Sequence, residues 1–119
     1  MTPIRTVEDV AAMPARSMIP LWLAAAYCYE IEAETLIPDA CFDALSARMF
    51  REWDALPDPC GHKSVIDEMA LMTSTASYLK PADYPPKARG LASTLLRAWQ
   101  GIDVGYRALP PGQWANAKP

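Results

Sequence analysis

Glycine is scarce in this chain, five residues in 119. Few loops can therefore wrap a phosphate in backbone amides. Cysteine occurs three times, an odd number that builds no disulfide framework and fits a reducing cytoplasm. No apolar run approaches the roughly 18 residues that suggest a membrane span. The longest, Met18 to Tyr29, is interrupted by Pro20. The first residues lack a positive flank leading into an apolar stretch, so no signal peptide is expected. Basic charge is not in excess either. Eleven Lys and Arg face fourteen Asp and Glu, a net of −3, which argues against a strongly basic nucleic-acid binder and makes direct nucleic-acid contact an unfavoured role. No segment alternates apolar and polar residues at period two, so little or no sheet is expected.

What is present is apolar residues at 51%, enough for one modest core and one domain. Proline, at twelve residues, punctuates the chain at Pro57 and Pro59, at Pro81, Pro85 and Pro86, and at Pro110 and Pro111. Between these breaks the pattern predicts an all-α fold, a compact bundle of four to five helices with proline-rich loops. Residues 1–109 form the expected helical domain, and 110–119 a mobile Pro/Gly-rich tail that Trp114 can pin to the body. A first short helix spans 6–13, with Thr6 as N-cap and Glu8 and Asp9 in its first turn. A second runs from Pro20 to about Ile31 and is apolar nearly all round, hence central. In the third, from Pro38 to Leu56, the residues Phe42, Leu45, Met49, Trp53 and Leu56 step by 3, 4, 4 and 3, a clean helical stripe. Ser64 and Asp67 suggest a capping box opening a fourth helix. A fifth follows Pro86, carries Leu91, Leu95 and Trp99, and has Gly101 as its C′ residue. Trp22, Leu45, Trp53 and Leu95 are the expected core anchors. Charge segregates as well. Residues 30–68 hold ten acids and three bases, whereas 69–119 hold two acids and six bases.

Chemistry concentrates between Tyr27 and Asp43. Tyr27 and Tyr29 end the central helix, Glu30, Glu32 and Glu34 follow, and Ile37-Pro38-Asp39 opens the next helix. Asp39 and Asp43, four residues apart, share a face of its first turns. Fixed carboxylates beside aromatic rings suit a planar organic cation. The rings offer a stacking face, and the carboxylates offer charge and acceptors for amide or sugar hydroxyl donors. The ordinary role of such aspartates is to cap the helix or complement its dipole.

Tyr29 together with Ile37-Pro38-Asp39-Ala40-Cys41-Phe42-Asp43 resembles the small N-terminal helical domain of bacterial NAD-dependent DNA ligases. There a Tyr-His pair precedes a helix start of the form Ser/Pro-Asp-Ala-Glu-Tyr-Asp. The likeness spans Leu21 to Pro59, including Leu45, Arg48 and Glu52, about a third of the chain. It extends to small stand-alone bacterial and phage proteins that look like this ligase domain. The resemblance implies a nicotinamide mononucleotide-binding fold. Tyr29 then corresponds to the nicotinamide-stacking tyrosine, and Asp39 and Asp43 to the aspartates that contact the nucleotide. Two positions depart from the pattern. Glu30 replaces the histidine, and Phe42 replaces a tyrosine and loses its hydroxyl. The extra negative charge of Glu30 favours a nicotinamidium cation and disfavours a phosphate. The catalytic Lys-x-Asp-Gly motif of the ligases is absent around Lys63, Lys80, Lys87 and Lys118, so the chain is not expected to be a ligase or an enzyme.

Other constellations carry less. Cys60-Gly61-His62, with Cys41 or Asp58, offers zinc ligands but only one short pair. Nothing in the spacing orients Cys60 and His62 as a nucleophile and its base. Thr73, Ser74, Thr75 and Ser77 read as a solvent loop. The bases Lys87, Arg89, Arg97 and Arg107 read as an ordinary helix surface. Met69, Leu71 and Met72 would mark a partner interface if exposed. Two functions follow. One is a small non-catalytic module binding a nicotinamide nucleotide through Tyr29, Glu30, Asp39, Phe42 and Asp43. The other is a phage-derived or bacterial interaction or inhibitor protein that uses the same scaffold for a protein partner. No membrane role is expected.

Overall fold

Caps and prolines place the helix starts. In α1 (Val7–Ala12), Thr6 Oγ1 accepts from the Asp9 amide at 3.2 Å, and the Asp9 carboxylate accepts from the Thr6 amide at 3.0 Å. A further bond from the Arg5 amide, 2.9 Å, is the main reason the Asp9 carboxyl titrates below the usual range, followed by the Thr6 amide. α2 (Met18–Glu30) begins two residues before Pro20. Proline is tolerated there because amides of the first turn have no partner within the helix. α3 spans Asp39–Glu52 and α4 Pro86–Val104. The architecture is an all-α bundle. The structure, a computed structural model, describes the backbone of residues 2–104 and the side chains of residues 2–99. No strand occurs among the described residues, and no helix there is long and apolar enough to cross a membrane. The expected tail at 110–119, with Trp114, lies outside them.

α2 is the centre. Met18, Ile19, the run Leu21–Ala26 and Cys28 are all buried, and the helix packs against both α3 and α4. Buried Ala88 and Ala92 on α4 and Ala24–Ala26 on α2 permit close helix axes. Trp22, Leu45, Met49 and Leu95 are in the core. Trp53 is only half-buried. The end of α3 tightens there into a 3₁₀ turn at Trp53–Ala55, and its ring is covered by the Lys63 ammonium, 4.9 Å from the centroid.

Two expectations are corrected. No α-helix starts at Ser64. Two 3₁₀ turns, Lys63–Val65 and Glu68–Met72, take its place. Asp67 caps the second by accepting from the Met69 amide at 3.1 Å, while its own amide donates to the Tyr78 hydroxyl at 2.9 Å. The Asp58 carboxylate accepts from the amides of His62 and Lys63, and the Lys63 ammonium donates to the carbonyls of Trp53 and Leu56. Local side-chain bonds thus outcompete a helical ladder in this stretch. Nor does α4 stop at Gly101, for the helix continues to Val104. Glycine within a helix costs about 1 kcal/mol relative to alanine, too little to end one by itself.

Arg48 on α3 ties down α1. Its Nη1 donates to Val10 O at 2.8 Å and Met13 O at 2.9 Å, and its Nε pairs with Glu52 at 3.0 Å. Those carbonyls lie at the C-terminal end of α1, where the helical ladder runs out and Val10 O otherwise accepts a long bond from the Met13 amide at 3.4 Å.

Candidate functional site

Between α2 and α3 the chain reverses without glycine. Ala33 adopts a left-handed φ of 55°, which brings the Glu34 amide back to Cys28 O at 2.8 Å. Leu36 and Ile37 then plunge into the core and anchor the entry to α3. Pro38 is the N-cap, and no side chain caps the helix. Asp39 therefore stands in the first turn beside amides that no side chain satisfies.

The result is a cleft of about 400 Å³ whose lining includes Tyr29, Glu30, Asp39, Phe42 and Asp43. All five residues singled out in the sequence border it. Its floor is apolar, made of buried Ala25, Leu36, Ile37 and Ala76. Its rim is acidic. Neither the Asp39 nor the Asp43 carboxylate has a hydrogen-bond or ion-pair partner among the described residues. Tyr29 is 62% exposed, an open aromatic face at the end of α2. Phe42 differs. One side of its ring stacks on the buried Trp22, with centroids 5.3 Å apart at 26°, so only the remainder of the ring is available to the cleft.

Tyr27, two residues before Tyr29, is turned away from this opening. It meets Tyr84 edge-on at 5.2 Å, and its hydroxyl donates to Glu32 at 3.2 Å. Burial, then the bond to Glu32, raises its phenol above the ordinary value. The acidic connection is thus divided, with Glu32 engaged by Tyr27 and Glu30 facing the cleft.

The second wall was not visible in the sequence. Thr73, Ser74, Thr75 and Ala76 line the cleft opposite the helices, where a solvent loop was expected. Ser74, at a left-handed φ of 54°, donates its hydroxyl to Ser46 Oγ at 3.1 Å. The same oxygen accepts from the Trp22 indole at 2.9 Å. One fully buried hydroxyl on α3 thereby holds both the loop wall and the Trp22 ring that backs Phe42. No local signal marks this pairing, because Ser46 and Ser74 are 28 residues apart.

An apolar floor, a hydroxyl-rich wall and an unpaired acidic rim suit a small ligand with a flat cationic part and several donors. Metal chemistry has no comparable arrangement. Among the described residues no group of three or more His, Cys, Asp or Glu side chains can hold an ion. Cys60 is exposed and Cys41 buried, while Asp58 is occupied by backbone amides. No family model matches the chain, and neither a curated protein nor a solved structure is significantly similar to it.

Proposed function

We propose that the chain is a small non-catalytic binding module whose cleft takes a flat organic cation, with a nicotinamide nucleoside or nucleotide as the ligand class. The observation that carries this reading is the convergence of Tyr29, Glu30, Asp39, Phe42 and Asp43 on one cleft with both aspartates unpaired. The likeness of Ile37–Asp43 to the ligase domain supplies the ligand class. Tyr29 would stack on the ring. Asp39 and Asp43 would accept from its carboxamide and ribose hydroxyls. Glu30 would favour the positive ring and repel a phosphate.

Titration of isotopically labelled protein with nicotinamide riboside, nicotinamide mononucleotide and NAD tests this. Saturable NMR shifts should appear at Tyr29, Phe42, Asp39 and Asp43, vanish in Asp39→Ala, and be stronger for the riboside than for the phosphorylated forms. No shift at millimolar ligand would refute it.

The second reading is a protein-interaction module in which the cleft is a remnant of the scaffold. The exposure of Met69 (62%) and Met72 (61%) favours it, since methionine adapts to varied apolar partners.

A further inference from the structure

α3 carries a second exposed face, separate from the cleft floor. Asp43, Ala47 and Arg51 follow one another at successive turns and all three are exposed. They border a shallow groove of about 520 Å³ between α3 and the segment around Met72, with Phe50 on the same side. Neither Asp43 nor Arg51 has an ion-pair partner among the described residues. The face therefore reads acid, small residue, base along the helix. Such a sequence of charges is self-complementary under a two-fold rotation, which brings residue i against residue j and j against i.

We propose that this groove is the interface of a homodimer in which α3 packs antiparallel to α3 of a second copy, with the two-fold axis passing beside Ala47. Asp43 of each chain then meets Arg51 of the other. The two residues lie eight apart, about 12 Å along the helix axis, and Ala47 between them lets the axes approach closely. Half-buried Phe50 and exposed Met72 supply the apolar area. The charge pairs set register and exclude the parallel arrangement, which would place like charges together. A parallel pair would also lack the compensation that makes exposed charges tolerable at an interface. The groove shares Asp43, Thr73 and Ser74 with the cleft, so a second copy would border the mouth of the cleft. The dimer does not depend on a ligand there.

Sedimentation velocity of the full chain without ligand, from micromolar to millimolar concentration, tests the proposal. The expected result is a concentration-dependent species of twice the 13.1 kDa chain mass, weakened by salt. Arg51→Asp and Asp43→Arg should each be monomeric, with the helical circular dichroism of the wild type. Mixing the two variants should restore a dimer, because one chain then carries two acids on this face and the other two bases. Ala47→Glu, an exposed change to a good helix former, should also abolish association. A wild type that stays monomeric at millimolar concentration would overturn the proposal, as would single variants that still dimerise or a mixture that does not pair.

Discussion

On the side of α2 that meets α3, the buried polar atoms answer one another. The Trp22 indole and the Ser74 hydroxyl both donate to Ser46, and the Trp22 ring stacks on Phe42. On the side that meets α4, they do so poorly. The Tyr84 hydroxyl is buried with no partner among the described residues, and the Cys28 thiol donates one long bond to Ala92 O at 4.0 Å. The first flank uses polarity to fix position, and the cleft is built where position is fixed. The second relies chiefly on packing, with one long thiol bond and a phenol hydroxyl whose burial is uncompensated.

The largest expected effect falls on the first flank. Trp22→Ala should lose about 3–5 kcal/mol, read as a lowered denaturant midpoint with an unchanged slope. Ser46→Ala comes next. It strands the indole N–H and releases the loop wall, at a cost of about 1–3 kcal/mol, and faster amide exchange should be confined to residues 73–76. If Ser46→Ala were neutral, the idea that this hydroxyl holds the wall would fail. Tyr84→Phe should do the reverse on the other flank and stabilise by about 1 kcal/mol, seen as a higher melting temperature. At the end of α2, Ala33→Gly relieves a left-handed alanine and should add about 0.5–1 kcal/mol.

The smallest effect appears only in alkali. Burial, then the charges of Glu32 and Glu34, pushes the Cys28 thiol up to about 11 from the ordinary 9.0. Burial also raises the Tyr84 phenol. Both groups hold their protons longer folded than unfolded. The Cys28 contribution is therefore complete below pH 9 and is lost as the pH rises toward 11, whereas the Tyr84 contribution begins to be lost only as the pH passes 10. Melting temperature should fall over that window, and Cys28→Ala should flatten part of the fall. Equal slopes in the two proteins would remove Cys28 from the account.

Features encoded over short spans were legible. The Thr6 cap, the stripe through Leu45 and Met49, and the acid–aromatic cluster from Tyr29 to Asp43 depend on neighbours within a turn or two, which periodicity and capping chemistry report directly. The stretch from Pro57 to Pro85 was not legible, because its form is decided by side chains competing for backbone groups. Asp67, the third position of the cap that the sequence suggests, serves as the cap itself. The loop wall was hidden for a different reason. Ser74 acquires its role only when α3 brings Ser46 beneath it, and neither residue is distinctive where it stands in the chain.

Arg48 bears on the order in which the molecule assembles. A helix of six residues is unstable alone in water, so α1 is expected to form only as it packs on α3. Once α3 is in place, the Arg48 guanidinium donates to the carbonyls of Val10 and Met13 and, with buried Ile4, Val10 and Met13, closes the N-terminal segment onto the bundle. A short segment held at its end in this way is expected to open by an equilibrium of its own. It should release on a far shorter timescale than the α2 core exchanges its amides, exposing the side of α3 beneath it while the rest of the fold stays shut.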